Sequence, residues 1–212
     1  MDLDDLPLRE RKKQQTRQRI SAVATALFVA RGFDEVPVAE VAEAAEVSKM
    51  TVFNYFPRKE ELFLDRVPEA LTLLDRTVGD RPAGQDVLPA LRDLMLRLAE
   101  QDHPFAAIGA RHPAFWRTVL ASPALRAYAR ESVEALEEHL AGLLLAEGRD
   151  EPTARFTAAL AVTALRTVFT GNARRLLAGD PAEAVAADHP GFTRRTFGAV
   201  ERALAAFTAP SS

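Results

Sequence analysis

Apolar residues recur at spacings of three and four along nearly the whole chain, and no run alternates as a half-buried strand would. The pattern predicts an all-α protein of about nine helices. A first helix is expected over residues 9–31, with Ile20, Val23, Ala24, Leu27 and Phe28 as its inward stripe and Gly32 stopping it as a left-handed cap. Pro37 suits the first turn of a second, short helix over 37–45, because its missing N–H costs nothing there. Ser48 caps a third helix over 49–55, which Pro57 ends. A fourth helix is expected from Arg58 or Lys59 to about residue 77, burying Leu62, Phe63, Val67, Leu71 and Leu74.

Residues 79–85 (GDRPAGQ) make the best linker candidate, with two Gly and a Pro among polar residues. Beyond them, helices are expected at about 86–101, 104–109, 113–121, 124–147, 151–178 and 191–208. His-Pro occurs at His103-Pro104, His112-Pro113 and His189-Pro190, and each pair reads as a helix start with Pro in the first turn. This divides the chain into a small domain over 9–57 and a larger helical domain over 58–212.

The most informative stretch is 38–62, VAEVAEAAEVSKMTVFNYFPRKEEL. Val38, Val41, Ala42 and Ala45 give the second helix a narrow apolar face that another helix can approach closely. Glu46, Val47 and Ser48 then make a tight turn, with Val47 plugging the angle, in the pattern of a helix-turn-helix. In the third helix Val52 and Phe53 are expected to face the core. Lys49, Met50, Thr51, Asn54 and Tyr55 are left outside, offering ammonium, amide and hydroxyl groups of the kind that contact base edges and phosphates.

Charge placement supports that reading. The net charge is −3, yet residues 8–59 carry ten basic against six acidic groups, a local +4, while the remainder carries 17 against 24, or −7. A basic module on an acidic body suits a nucleic-acid partner, although a solvated charged helix face has the same composition. With 48% apolar residues among 212, a real core is available. The absence of Cys excludes disulfides, thiolate metal sites and a cysteine nucleophile. The start MDLDDLPLRERKKQQ has charges where a signal peptide needs an apolar stretch, and no run suits a membrane span, so a cytoplasmic protein is expected.

Residues 16–63 resemble the DNA-binding domain of the TetR family of one-component bacterial regulators. The resemblance is carried by Ile20 to Phe33 ending in Arg-Gly-Phe, by Val38-Ala39-Glu40-Val41-Ala42, by Glu46-Val47-Ser48 and by the run from Thr51 to Leu62. It implies phosphate contacts from Thr51 and Tyr55 through their hydroxyls and from Lys59 by charge, beside the capping Ser48. Lys49 and Asn54 are the candidates for base reading, Asn toward adenine and Lys toward guanine, with Met50 toward a thymine methyl. Pro37 departs from the family, which often has Thr there, so one phosphate contact is lost or moved to Val38 or Ala39. The basic arm from Arg9 to Arg19 either reaches neighbouring phosphates or is a solvated helix end.

The resemblance also implies a homodimer, with the last two long helices of each subunit forming a four-helix bundle. Phe156, Ala159, Leu160, Thr163, Ala164, Thr167 and Val168 in one, and Phe197, Val200, Leu204 and Phe207 in the other, agree with that and equally with a stripe buried within one subunit. A small-molecule pocket is expected around Phe105, Ile108, Arg111, His112, Phe115, Trp116, Leu120, Tyr128 and Arg166, a set that also fits an ordinary core with a solvated rim. No cofactor, metal site or catalytic residue is expected: there is no Gly-rich phosphate loop, no Gly-x-Ser-x-Gly and no His pair at ligand spacing. The expected function is a ligand-responsive regulator, a repressor released from a palindromic operator in double-stranded DNA by a small molecule. A helical-bundle enzyme and a ligand-free DNA-architectural protein are the alternatives.

Overall fold

The structure, a computed structural model, describes residues 7–82, 84–108 and 112–209, with His112 described in its backbone alone. Among these residues the regular structure is entirely helical. The α-helices are α1 (Leu8–Arg31), α2 (Val38–Ala44), α3 (Lys49–Tyr55), α4 (Val67–Gly79), α5 (Val87–Glu100), α6 (His112–Ala121), α7 (Pro123–Ala146), α8 (Glu151–Ala178) and α9 (Ala182–Thr208). The described residues form two compact units, the first within Met1–Arg66 and Arg117–Ala129, the second within Val67–Trp116 and Arg130–Ser212.

In the first unit α1 packs on α2 and α2 on α3. Ile20, Ala24 and Phe28 of α1, Val41 and Ala42 of α2, Val52 of α3, and Phe33, Phe56, Leu62 and Phe63 are buried. The Phe28 ring lies 4.9 Å from Phe33 and 6.0 Å from Phe63 by centroid, in the tilted and edge-on arrangements aromatic rings favour. Gly32 ends α1 with φ +94° and ψ 146°, a conformation that only glycine takes readily but outside the left-handed helical cap expected. Pro37 stands just before the first helical residue of α2.

The fourth expected helix is interrupted. Lys59–Leu62 forms a 3-10 turn, and α4 starts only at Val67. Pro68 has no N–H to give the Leu64 carbonyl, so an unbroken helix would lose that bond. The Asp65 carbonyl is instead engaged by Arg17 Nη2 at 3.3 Å, and its carboxylate by the Ser21 hydroxyl at 2.6 Å.

The second unit is built on α5, α8 and α9 with α4 and part of α7. Leu91 and Met95, Leu140 and Leu144, Ala158 and Ala161, and Phe197 share one buried core. At Gly171 an added Cβ would meet the Phe192 ring at 2.6 Å, so the missing side chain makes room for α9 against α8. The linker candidate, of which residues 79–82 and 84–85 are described, lies between α4 and α5 inside this unit. The helix expected over 104–109 is a single 3-10 turn, Pro104–Ala106, ended by Ala107 at φ +53°. The last helix starts at Ala182, not 191, and runs through Pro190. Proline removes one backbone bond there, while the preceding His189 is fully buried and hydrogen-bonded to other elements, which holds the helix across the break. Among the described residues no helix is long and apolar enough to cross a membrane.

Candidate nucleic-acid interface

The turn between α2 and α3 needs an abrupt change of direction. Glu46 takes φ +53°, the Val47 N–H donates to the Ala42 carbonyl at 2.9 Å, and Val47 lies half-buried in the angle. Ser48 then caps α3, its hydroxyl accepting from the Thr51 N–H at 3.0 Å and lying 2.8 Å from the Thr51 hydroxyl. The Thr51 side chain is therefore tied to the cap and only half-exposed. This satisfies one orphan donor of the helix start and sets the direction in which α3 leaves the turn.

A seven-residue helix can bury only one narrow side. In α3 that side carries Val52, with Phe56 one turn on, and both are buried. Phe53, one position round from Val52, is 39% exposed, which corrects its expected place in the core. It stands one turn from Lys49, whose ammonium lies 5.9 Å from its ring centroid. Met50 is 70% exposed, and Lys49 and Asn54 are also exposed. The outward face of α3 thus presents an ammonium, a thioether, an aromatic ring and a carboxamide. Phe53 was missed because periodicity cannot tell which of two adjacent apolar residues a short helix buries.

Tyr55 is half-buried, and its carbonyl accepts from Arg17 Nη1 at 2.8 Å. The Arg17 guanidinium also lies 4.2 Å above the Phe56 ring. Arg17 thus leaves the basic arm and works inside the unit. Lys59 is likewise turned inward: its ammonium donates to the Phe33 carbonyl at 2.6 Å and lies 4.4 Å from the Phe33 ring centroid. Burial pushes its pKa below the ordinary lysine value, opposed by Asp34, Glu60 and Glu35. Further along, the Ser122 hydroxyl donates to the Asp34 carboxylate at 2.9 Å, and the Arg58 guanidinium lies 4.7 Å from the Tyr128 ring centroid.

The expected pocket residues are divided between the two units. Arg111 and the side chain of His112 lie outside the described residues. Leu120 and Tyr128 belong to the first unit, Leu120 being 51% exposed, whereas Phe105, Ile108, Phe115, Trp116 and Arg166 belong to the second. There, Trp116 sits edge-on between Phe115 (5.5 Å) and Phe169 (5.0 Å). Phe105 packs on the main core, Ile108 lies with Ala106, Leu176 and Val185, and Arg166 is exposed on α8. The Trp116 indole nitrogen is buried without a hydrogen-bond partner among the described residues.

A buried polar knot in the same unit was not foreseen. Asn172 Nδ2 donates to the Ala106 carbonyl and to His189 Nδ1, each at 2.8 Å, so the imidazole proton is on Nε2, which faces the Met95 carbonyl at 3.3 Å and the Thr193 hydroxyl at 3.3 Å. Burial pushes the His189 pKa below its ordinary 6.5, against the Met95 carbonyl, which favours the charged form. Among the described residues no group of three metal-ligating side chains could hold an ion.

A capped third helix, set by a tight turn against a short second one and presenting a mixed polar and apolar outer face, defines a helix-turn-helix protein. The profile of the bacterial regulatory proteins of the tetR family matches residues 20–65. The chain is 35% identical over 149 residues to the HTH-type transcriptional regulator TcmR of Streptomyces glaucescens, covering 68% of this chain and 65% of that relative. It is 30% identical over 118 residues to the transcriptional regulator MftR of Mycobacterium tuberculosis, covering 56% of this chain and 58% of that relative. The matches thus span about three fifths of the relatives' lengths. Native NalD, the secondary repressor of the MexAB-OprM multidrug efflux pump in Pseudomonas aeruginosa, shares the fold with a TM-score of 0.56 at 19% identity, over 87% of this chain and 96% of that one. Residues 20–65 are thus a domain of the TetR family of bacterial regulatory proteins.

Proposed function

We propose that the protein is a DNA-binding transcriptional regulator of the cytoplasm, a homodimeric repressor released from a palindromic operator by a small molecule. The observation that carries this reading is the outward face of α3, where Lys49, Met50, Phe53 and Asn54 stand clear of the core on a capped helix. Asn pairs well with adenine and Lys with guanine in the major groove, while thioether and ring suit thymine methyls. Two such helices reach successive major grooves only if two subunits are related by a two-fold axis. Phe207, 49% exposed near the end of α9 with its ring 4.3 Å from Phe156 of α8, supplies apolar surface for such a contact.

For the effector, support comes from Trp116. Its buried indole N–H has no acceptor among the described residues, and a ligand oxygen between the Phe115 and Phe169 rings would satisfy it. Release then follows by linkage: an effector that binds better to a conformer with the recognition helices off the half-site spacing must bind the DNA-bound dimer more weakly.

Selection of bound duplexes from a random pool, followed by sequencing, tests the reading. A palindrome with half-sites about one helical turn apart is expected. Salt-sensitive binding with no preferred sequence would overturn it in favour of an architectural protein.

A further inference from the structure

The basic residues of α1 divide by direction. Arg17 is turned inward onto the carbonyls of Tyr55 and Asp65. Arg9, Lys12, Lys13 and Thr16 stand at i, i+3, i+4 and i+7, one face of the helix, and the three cations are exposed. Together with Glu10 and Tyr55 they line one shallow depression. Tyr55 is the last residue of α3, so the cationic stripe adjoins the end of the recognition helix. Three cations against one carboxylate leave it positive. Among the described residues no ion pair engages Arg9, Lys12 or Lys13.

We infer that this stripe is a second DNA contact, holding the sugar-phosphate backbone that flanks the half-site read by α3. The inference rests on the DNA-binding reading above and extends it. Charge complementarity and continuity with the α3 surface argue for this occupant. One DNA strand carries a phosphate about every 3.4 Å, and residues four apart on a helix stand about 6 Å apart, so Lys12, Lys13 and Arg9 match one or two neighbouring phosphates. The Thr16 hydroxyl is spent on the Lys12 carbonyl at 2.9 Å, which leaves charge to do the holding. Such contacts add affinity and register but no base discrimination.

The test uses the full chain and its selected operator, with binding measured over a range of salt. Lys12→Gln with Lys13→Gln is expected to weaken binding alike on the operator and on single-substituted versions of it. It should also reduce the slope of log affinity against log salt by roughly two for each subunit bound. Arg130→Gln, an exposed charge of α7 in the second unit, serves as control. Trimming the duplex to the half-site edges should weaken the unaltered protein more than the double variant, which keeps only Arg9 of the three cations. An unaltered slope in the double variant, or an equal loss per charge in Arg130→Gln, would overturn the stripe while leaving operator recognition standing. If the unaltered protein binds no duplex, the stripe and the DNA-binding reading fall together.

Discussion

The Arg17 guanidinium donates to the Tyr55 carbonyl at 2.8 Å, across 38 residues of sequence. That carbonyl belongs to the last turn of α3, where no further helical N–H is available, and a cation there also suits the helix dipole. The same side chain covers the Phe56 ring and reaches the Asp65 carbonyl, two residues before α4 begins. One residue of α1 therefore ties down the end of the recognition helix and the approach to the next.

Replacing Arg17 by Ala is expected to destabilise the first unit by about 1–3 kcal/mol, since hydrogen bonds to a charged donor are lost and a carbonyl is orphaned. Lysine should not restore it, because a single ammonium cannot match the planar fork that meets two carbonyls. Amide hydrogen exchange across α3 measures the loss directly. Protection unchanged in the alanine variant would show that water replaces the guanidinium without cost.

Asn54 is exposed on the outward face of α3. Asn54→Ala is expected to lower discrimination at one base pair of each half-site by about 1–3 kcal/mol. The salt dependence should stay the same, because no phosphate contact is removed. Competition among operators substituted one position at a time reads both quantities. A uniform loss at every position would move Asn54 from base reading to backbone contact.

Lys59 has an inward alternative to a phosphate. Its ammonium donates to the Phe33 carbonyl, and burial favours its neutral form. Lys59→Met keeps much of the packing against Phe28 and Phe33 while removing the charge. If the ammonium also meets a phosphate, affinity falls for all sequences and the salt slope by roughly one per subunit. A changed melting temperature with an unchanged slope would confine Lys59 to the Phe33 carbonyl.

Stability of the second unit should fall as pH drops through the ordinary histidine range. His189 is buried neutral, and its folded pKa lies below 6.5, so the unfolded chain takes up the proton first. The favourable contribution is fully present above about pH 6.5 and is lost below it, by at most about 1.4 kcal/mol per pH unit for one proton. Urea unfolding between about pH 7.5 and pH 5.5 should show this slope in the unaltered protein and lose it in His189→Gln. The same slope in both proteins would place the titrating group elsewhere.

Much of the first unit was legible in advance because its signals are local. Ser48, the spacing to Thr51 and Pro57 bracket α3, and the structure gives Lys49–Tyr55 with that cap. The choice between Val52 and Phe53 was not legible, because a helix of two turns packs on one neighbour and only that neighbour decides which residue it covers. The pocket set was read from composition alone, and composition carries no distances: Tyr128 and Trp116 fall in different units.

The sequence by itself determined the all-helical class, the turn from α2 to α3 and the uneven charge, since each depends on residues within a few positions of one another. Tertiary structure alone decided what long-range partners arbitrate. Asp65 meets Arg17 and Ser21 where a helix was expected to continue, and Pro190 is carried inside α9 beside a histidine held by Asn172 and faced by the Met95 carbonyl. Local propensity is worth a few tenths to a few kcal/mol, and a buried, fully bonded side chain outweighs it.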